Sequence, residues 1–218
     1  FGYKNNQPNC NYVVTSNFEK LRFYIDDSVG FEEFNLFELS RKRFEVLWLC
    51  ISSETLLKDI PKKIKQDSLN EEERITQKLY KDYSEFRREL FNDIVDKNKE
   101  YDKLTLLNKT QKLLDRFLFI FFAEDRLLIP PNSIGKILSQ WSELKEKYDE
   151  YFPLYNRYKK YFGYLNSGYK GKQHDIFAYN GGLFTPDEIL DKIEISDDVL
   201  FKHTSNLTAY DFESEVSV

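Results

Sequence analysis

Residues 113–130 read LLDRFLFIFFAEDRLLIP, and they decide the fold class. Leu113, Leu114, Phe117, Leu118, Phe119, Ile120, Phe121 and Phe122 are apolar on nearly every side of a helix. That is the pattern of a segment surrounded by other elements rather than lying on a surface. The helix reaches back to Leu104 and stops at Pro130-Pro131, where the backbone loses its donors. An enclosed helix needs neighbours on all sides, so the sequence predicts a mainly α protein, a helical bundle of about six to eight helices. Asp115, Glu124, Asp125 and Arg126 bring charge to this helix and its end. Glu124 and Asp125 admit two readings. They form a buried acid pair, or the helix leaves the core at Ala123 and Arg126 helps to neutralise acids that face solvent. The second is favoured, because no His, Cys or third acid with metal-ligand spacing accompanies them.

Downstream, Asn132 or Ser133 caps a helix carrying Ile134, Leu138, Trp141, Leu144 and Tyr148 at helical spacing. Pro153 to Leu165 is a further aromatic-rich helix, followed by a Gly-rich loop through Gly168 and Gly171 to Gly181-Gly182. Thr185-Pro186-Asp187-Glu188 predicts a capping box opening a short helix to about Ile193, and Asp197 to Asn206 predicts another. Upstream, Asn70-Glu71-Glu72-Glu73 reads as the start of a helix with Ile75, Leu79, Tyr83, Phe86, Leu90 and Ile94 on its inner face. Leu56 to Ile64 is a shorter piece with Pro61 at a break or first turn. Ser40 caps a helix whose apolar face is Phe44, Leu47, Trp48 and Ile51.

Before Ser40 the hydrophobic period is two. Tyr12 to Thr15 and Leu21 to Ile25 form a hairpin in which Asn17 supplies the positive φ, and Phe31 to Leu36 is a third strand after the turn at Asp26 to Gly30. The expected organisation is a three-stranded antiparallel β-meander over 1–37 and a helical domain over 38–218. Three strands bury little alone, so the meander is expected to lean on a larger sheet encoded upstream of Phe1. The absence of an initiator Met, and the unfinished apolar pattern of Val216 and Val218, are read as marks of a longer protein.

The chain has 32 Lys+Arg against 37 Asp+Glu, a formal charge of -5. That excess of acid argues against a free-standing, non-specific DNA binder but leaves room for a local basic patch. Cys10 and Cys50 lie 40 positions apart, and His174 and His203 are not clustered, so no metal-ligand spacing exists. Free thiols and the lack of a membrane-spanning apolar run point to a cytoplasmic protein.

Two stretches carry candidate chemistry. Tyr151 to Lys172 contains no acid, and it interleaves Arg157, Lys159, Lys160, Lys170 and Lys172 with aromatics that include Tyr169. Such a mixture suits a nucleic-acid backbone, through charge, Tyr hydroxyls and stacking. It equally suits an amphipathic helix with inward aromatics and solvated lysines. Phe177 to Phe184 (FAYNGGLF) places a sharp Asn-Gly-Gly turn between aromatics that pin it to a core. Its glycines lack the spacing of a phosphate loop.

Three strings, in order, resemble type IIG restriction–modification enzymes: NYVVTSNFEKLRFY at 11–24, LLDRFLFIFFAEDRLLIP at 113–130 and FAYNGGLFTP at 177–186. They look like the hairpin closing that family's nuclease domain, the helix leading to its methyltransferase, and the loop before the methylase core. The resemblance implies a parent that cleaves and methylates DNA. Such a parent carries a Mg²⁺-dependent nuclease upstream, an adenine-N6 methyltransferase using S-adenosylmethionine downstream, and a helical connector between them. Residues 1–37 would be the trailing part of the nuclease-like domain and 38–218 the connector, with the flanking domains and double-stranded DNA as partners. The chain departs from the family in holding neither active site. No acid–acid–lysine set and no asparagine-proline-proline-tyrosine motif occur, so no catalytic, cofactor or metal residue is carried over. The alternatives are a helical protein- or DNA-binding module of another modification or phage-defence system, and an independent enzyme in which Glu124, Asp125 or His174 meet in a cleft.

Overall fold

The computed structural model describes residues 10–27, 29–171, 174–179 and 181–212. The fold is mainly α: three antiparallel strands precede seven helices among the described residues. The chain divides into two compact units between Glu71 and Glu72. The change from period two to period 3.6 falls near residue 38, as the sequence implies, but the packing boundary lies over 30 residues later because the first helices pack with the strands.

In the first unit, β1 (Tyr12–Ser16), β2 (Lys20–Ile25) and β3 (Phe31–Asn35) form a sheet in the order β1-β2-β3, with Val14 opposite Phe23 and Leu21 opposite Phe34. Alternation puts Tyr12, Leu21, Phe23, Ile25 and Phe34 on one face. That face packs on Leu47 and Cys50 of α1 (Arg41–Ile51), with Leu56 of α2 (Ser53–Leu57) alongside. The cover for the meander therefore comes from α1 within the same unit, and no further sheet is present among the described residues. The opposite face is polar at Lys20 and Arg22, which both pair with Glu33.

Two local details differ from the sequence reading. In the hairpin, Phe18 takes the positive φ of 71°. Asn17 instead uses its side-chain oxygen to accept from the amides of Glu19 and Lys20, a role its short polar side chain fills well. Ser40 caps α1 as expected, accepting from Arg43 N at 3.3 Å. The inner face of α1 is Leu47 and Cys50, however, while Phe44, Trp48 and Ile51 are exposed.

The helix α3 (Ile60–Lys97) spans 38 residues and contributes its first part to one unit and the rest to the other. Pro61 occupies its first turn, where the missing amide costs nothing. Asn70 does not start a helix: it lies inside α3, where Gln66 Nε2 donates to its side-chain oxygen at 3.0 Å. Between Lys62 and Lys97 there is neither Gly nor Pro, so nothing interrupts the backbone ladder.

The second unit is organised around α4 (Lys103–Asp125), capped by Asp102 accepting from Thr105 N. Leu113, Leu114, Phe117 and Ile120 are fully buried, as expected of a central helix. Around it pack Phe86, Leu90 and Ile94 of α3, then α5 (Ser133–Lys147), α6 (Leu154–Ser167) and α7 (Asp197–Leu207). The segment after Pro186 makes turns rather than a helix. Its cap is Asp187, not Thr185: the Asp187 carboxylate accepts from the amides of Ile189 and Leu190 and pairs with Lys109 and Lys112. Near the end of α3, the Asn98 side chain donates to Ile94 O and Glu194 O and accepts from Glu194 N. Asp93 accepts from both the amide and the hydroxyl of Ser196. No helix among the described residues is long and apolar enough to cross a membrane.

Candidate nucleic-acid interface

Residues at positions i, i+3, i+4 and i+7 share one face of a helix. On α5 that series is Ser133, Lys136, Ile137 and Gln140; on α6 it is Arg157, Lys160, Tyr161 and Tyr164. Both series line a single open cleft of about 580 Å³. Tyr169 and Ile176, paired in a short antiparallel bridge, line the same cleft together with His174. Gly168, with φ of 80°, ends α6 and turns the chain into that bridge.

Of the six residues proposed from sequence to meet nucleic acid, Arg157, Lys160 and Tyr169 line this cleft. Lys159 does not: its ammonium donates to Asp191 O at 2.9 Å and lies over the Tyr155 ring. One residue along a helix is a rotation of about 100°, which is enough to separate neighbours Lys159 and Lys160. Lys170 is exposed and outside the cleft, and Lys172 lies outside the described residues. The lining also includes Lys136 and Gln140, which the sequence reading missed because they come from another helix. Their signal was present as the polar stripe on α5, set beside the apolar stripe of Ile134, Leu138 and Trp141.

The cleft is electropositive by composition: none of the described residues lining it is Asp or Glu. Arg157 donates to Gln140 Oε1 at 2.7 Å across the two helices, leaving four of its N–H groups for other acceptors. Lys136 donates to Pro131 O, and Lys160 has no hydrogen-bond or ion-pair partner among the described residues. Tyr169 stacks on Tyr164 with ring centroids 4.0 Å apart, and it remains 44% exposed.

Tyr161 is 7% exposed, and its hydroxyl makes no hydrogen bond of normal geometry among the described residues. Burial pushes its pKa up to about 12, so it remains a neutral donor. Ser133 acts on it in the opposite direction, and the Ser133 hydroxyl itself donates to Pro130 O at 2.6 Å.

The acids at the end of α4 are structural. Asn132 sits at the N-cap position of α5 in left-handed conformation and makes no side-chain cap bond. Its place is taken by Glu124, which accepts from Ile134 N at 3.1 Å. Glu124 is 6% exposed, so the helix does not leave the core at Ala123. Burial raises its pKa to about 7, against the lowering effect of the Ile134 and Ser133 amides. Asp125 accepts from Phe212 N at 2.7 Å. His174 stands in the cleft wall, and among the described residues no hydrogen bond joins it to either acid.

The loop at 177–185 is held by a residue the sequence reading passed over. Arg116, 1% exposed within the apolar helix α4, donates from Nε to Leu183 O and from Nη2 to Thr185 O, both at 2.9 Å. Its guanidinium lies over the Phe162 ring at 5.1 Å, and burial lowers its pKa. Tyr179 and Phe184 pack on Phe119, so the aromatics pin the loop to α4 as expected. Asn180, the first residue of the turn, lies outside the described residues. Among the described residues no group of three or more His, Cys, Asp or Glu is arranged to hold a metal ion.

Comparison with known proteins found no matching family model, and no match among curated proteins or solved structures.

Proposed function

We propose that this chain is the helical connector of a type IIG restriction–modification enzyme, a cytoplasmic protein in which flanking nuclease and adenine-methyltransferase domains carry the chemistry. Mg²⁺ and S-adenosylmethionine would bind in those domains, and the connector would fix their separation while contacting double-stranded DNA. The observation supporting this reading is Arg116. It belongs to the first helical string that resembles the family and bonds to two carbonyls of the loop that forms the last, so two of the three strings act as one packed unit. A rigid helix carrying a fixed loop suits a spacer, since buried packing transmits position. The basic cleft supplies the surface for DNA.

The test is the reading frame that encodes the chain. An acid–acid–lysine nuclease set before Phe1 and a methylase core with an asparagine-proline-proline-tyrosine motif after Val218 are expected. A start codon before Phe1 and a stop codon after Val218 would overturn the proposal. So would Mg²⁺-dependent DNA cleavage, or methyl transfer, by these 218 residues alone.

A further inference from the structure

We infer that the exposed face of α3 within the second unit is a docking surface for a second copy of this chain, the two α3 helices running antiparallel about a two-fold axis at Tyr80. The inference is independent of the connector reading and of the basic cleft.

Positions three and four apart share a helix face, and from Glu73 that series runs through Gln77, Tyr80, Ser84 and Arg87 to Phe91. This is the heptad spacing with which helices pair side by side, yet all but Phe91 are exposed. The charges on this face form an inverted repeat. Glu72 and Glu73 lie eight and seven residues before Tyr80, and Arg87 and Arg88 lie seven and eight after it. At about 1.5 Å per residue, each pair stands roughly 10–12 Å from Tyr80. A two-fold axis at Tyr80 therefore sets the acids of each copy against the arginines of the other, at both ends at once. A parallel pair would set acid against acid.

The groups are also available. Arg87, Arg88 and Glu72 have no hydrogen-bond or ion-pair partner among the described residues. The acids closest to the arginines along α3 are engaged elsewhere: Glu85 and Glu89 pair with Lys202, and Glu89 also with His203. Tyr80 is 75% exposed, at the edge of an open groove of about 530 Å³ whose lining includes Leu79, Tyr83 and Phe91 of α3 and Leu118 and Phe122 of α4. An apolar groove rimmed by arginines has the composition of a protein–protein contact. The partner's Tyr80, arriving beside its counterpart at the axis, supplies an aromatic ring for the groove and keeps its hydroxyl at the wet rim.

The experiment is sedimentation velocity of the whole chain from about 1 to about 200 µM, at low and high salt. A concentration-dependent dimer is expected, weakened by salt as the facing charges are screened. Tyr80→Ala should raise its dissociation constant about tenfold or more, the loss of a central aromatic anchor. Arg87→Glu with Arg88→Glu, and separately Glu72→Arg with Glu73→Arg, should each give monomers, because like charges then meet at both ends. Mixed in equal amounts, these two variants should form a dimer of one chain each, because every facing pair is again opposite in sign. All five positions are exposed, so the fold is retained, and far-UV circular dichroism checks it. Wild type that stays monomeric throughout overturns the second copy as occupant and leaves the groove to a different protein. A dimer that survives both charge reversals, or two reversed chains that do not pair with each other, overturns the antiparallel register. A dimer lost in Trp48→Ala but kept by the α3 variants assigns self-association to the exposed face of α1 and overturns the proposal.

Discussion

Replacing Glu124 with glutamine should change how the stability of the second unit depends on pH. The carboxyl is buried at the N-terminus of α5, where Ile134 N donates to it and burial outweighs that donor. Its pKa is about 7 in the fold, against an ordinary 4.5. The folded state therefore keeps the proton over a range in which the unfolded chain has lost it. Stability is greatest below about pH 4.5 as far as this group is concerned, and falls as pH rises towards 7. At about 1.4 kcal/mol per pH unit, the interval corresponds to roughly 3 kcal/mol. Gln keeps an acceptor for Ile134 N and cannot ionise. Glu124→Gln and wild type should lie within about 1 kcal/mol at pH 5, and the variant should be more stable by roughly 3 kcal/mol at pH 8. For a unit of this size that is a difference in Tm on the order of 10 °C. Urea unfolding followed by Trp fluorescence measures it, since Trp141 is buried on α5 and reports on this unit. Parallel stability curves for the two proteins from pH 5 to pH 8 would refute the reasoning.

Two further outcomes are expected. Arg116→Met should cost about 3 kcal/mol by orphaning the carbonyls of Leu183 and Thr185. It should also speed proteolytic nicking within 176–185, and Arg116→Lys should restore little, because a single ammonium does not reproduce the fork. Asn98→Ala removes three hydrogen bonds at a buried amide, and chemical denaturation should register a loss of roughly 2–3 kcal/mol. A change below 1 kcal/mol in either variant contradicts the assignment of these side chains as ties.

The strands, the enclosed α4 and the helices α6 and α7 were legible because periodicity reports burial directly, and residues such as Phe23, Leu113 and Leu165 follow it. Misreadings came from polar residues whose partners are distant in sequence. Glu124 looked like a surface acid because its partner, Ile134 N, belongs to another helix. Arg116 was invisible inside an apolar run, since nothing local reveals that two carbonyls some 67 and 69 positions away need donors. Asn70 looked like a cap because the first-turn acids that mark a helix start are also good helix formers in mid-helix. Half of the candidate interface was present in the run 151–172, but composition could not separate Lys160 from Lys159. The other half, Lys136 and Gln140, required the pairing of two helices.

The ties from Asn98 to Glu194 and from Asp93 to Ser196 span 96 and 103 residues. At synthesis rates of about 5–20 residues per second, α3 leaves the ribosome roughly 5 to 20 s before its polar partners exist. For that interval Asn98 and Asp93 are hydrated, and the α3–α4 hairpin waits with Phe86, Leu90 and Ile94 lacking their later neighbours from α7. Closure of the second unit is thus a non-local event set by loop entropy rather than by helix formation. A chain arrested before residue 196 would be a natural client for chaperones.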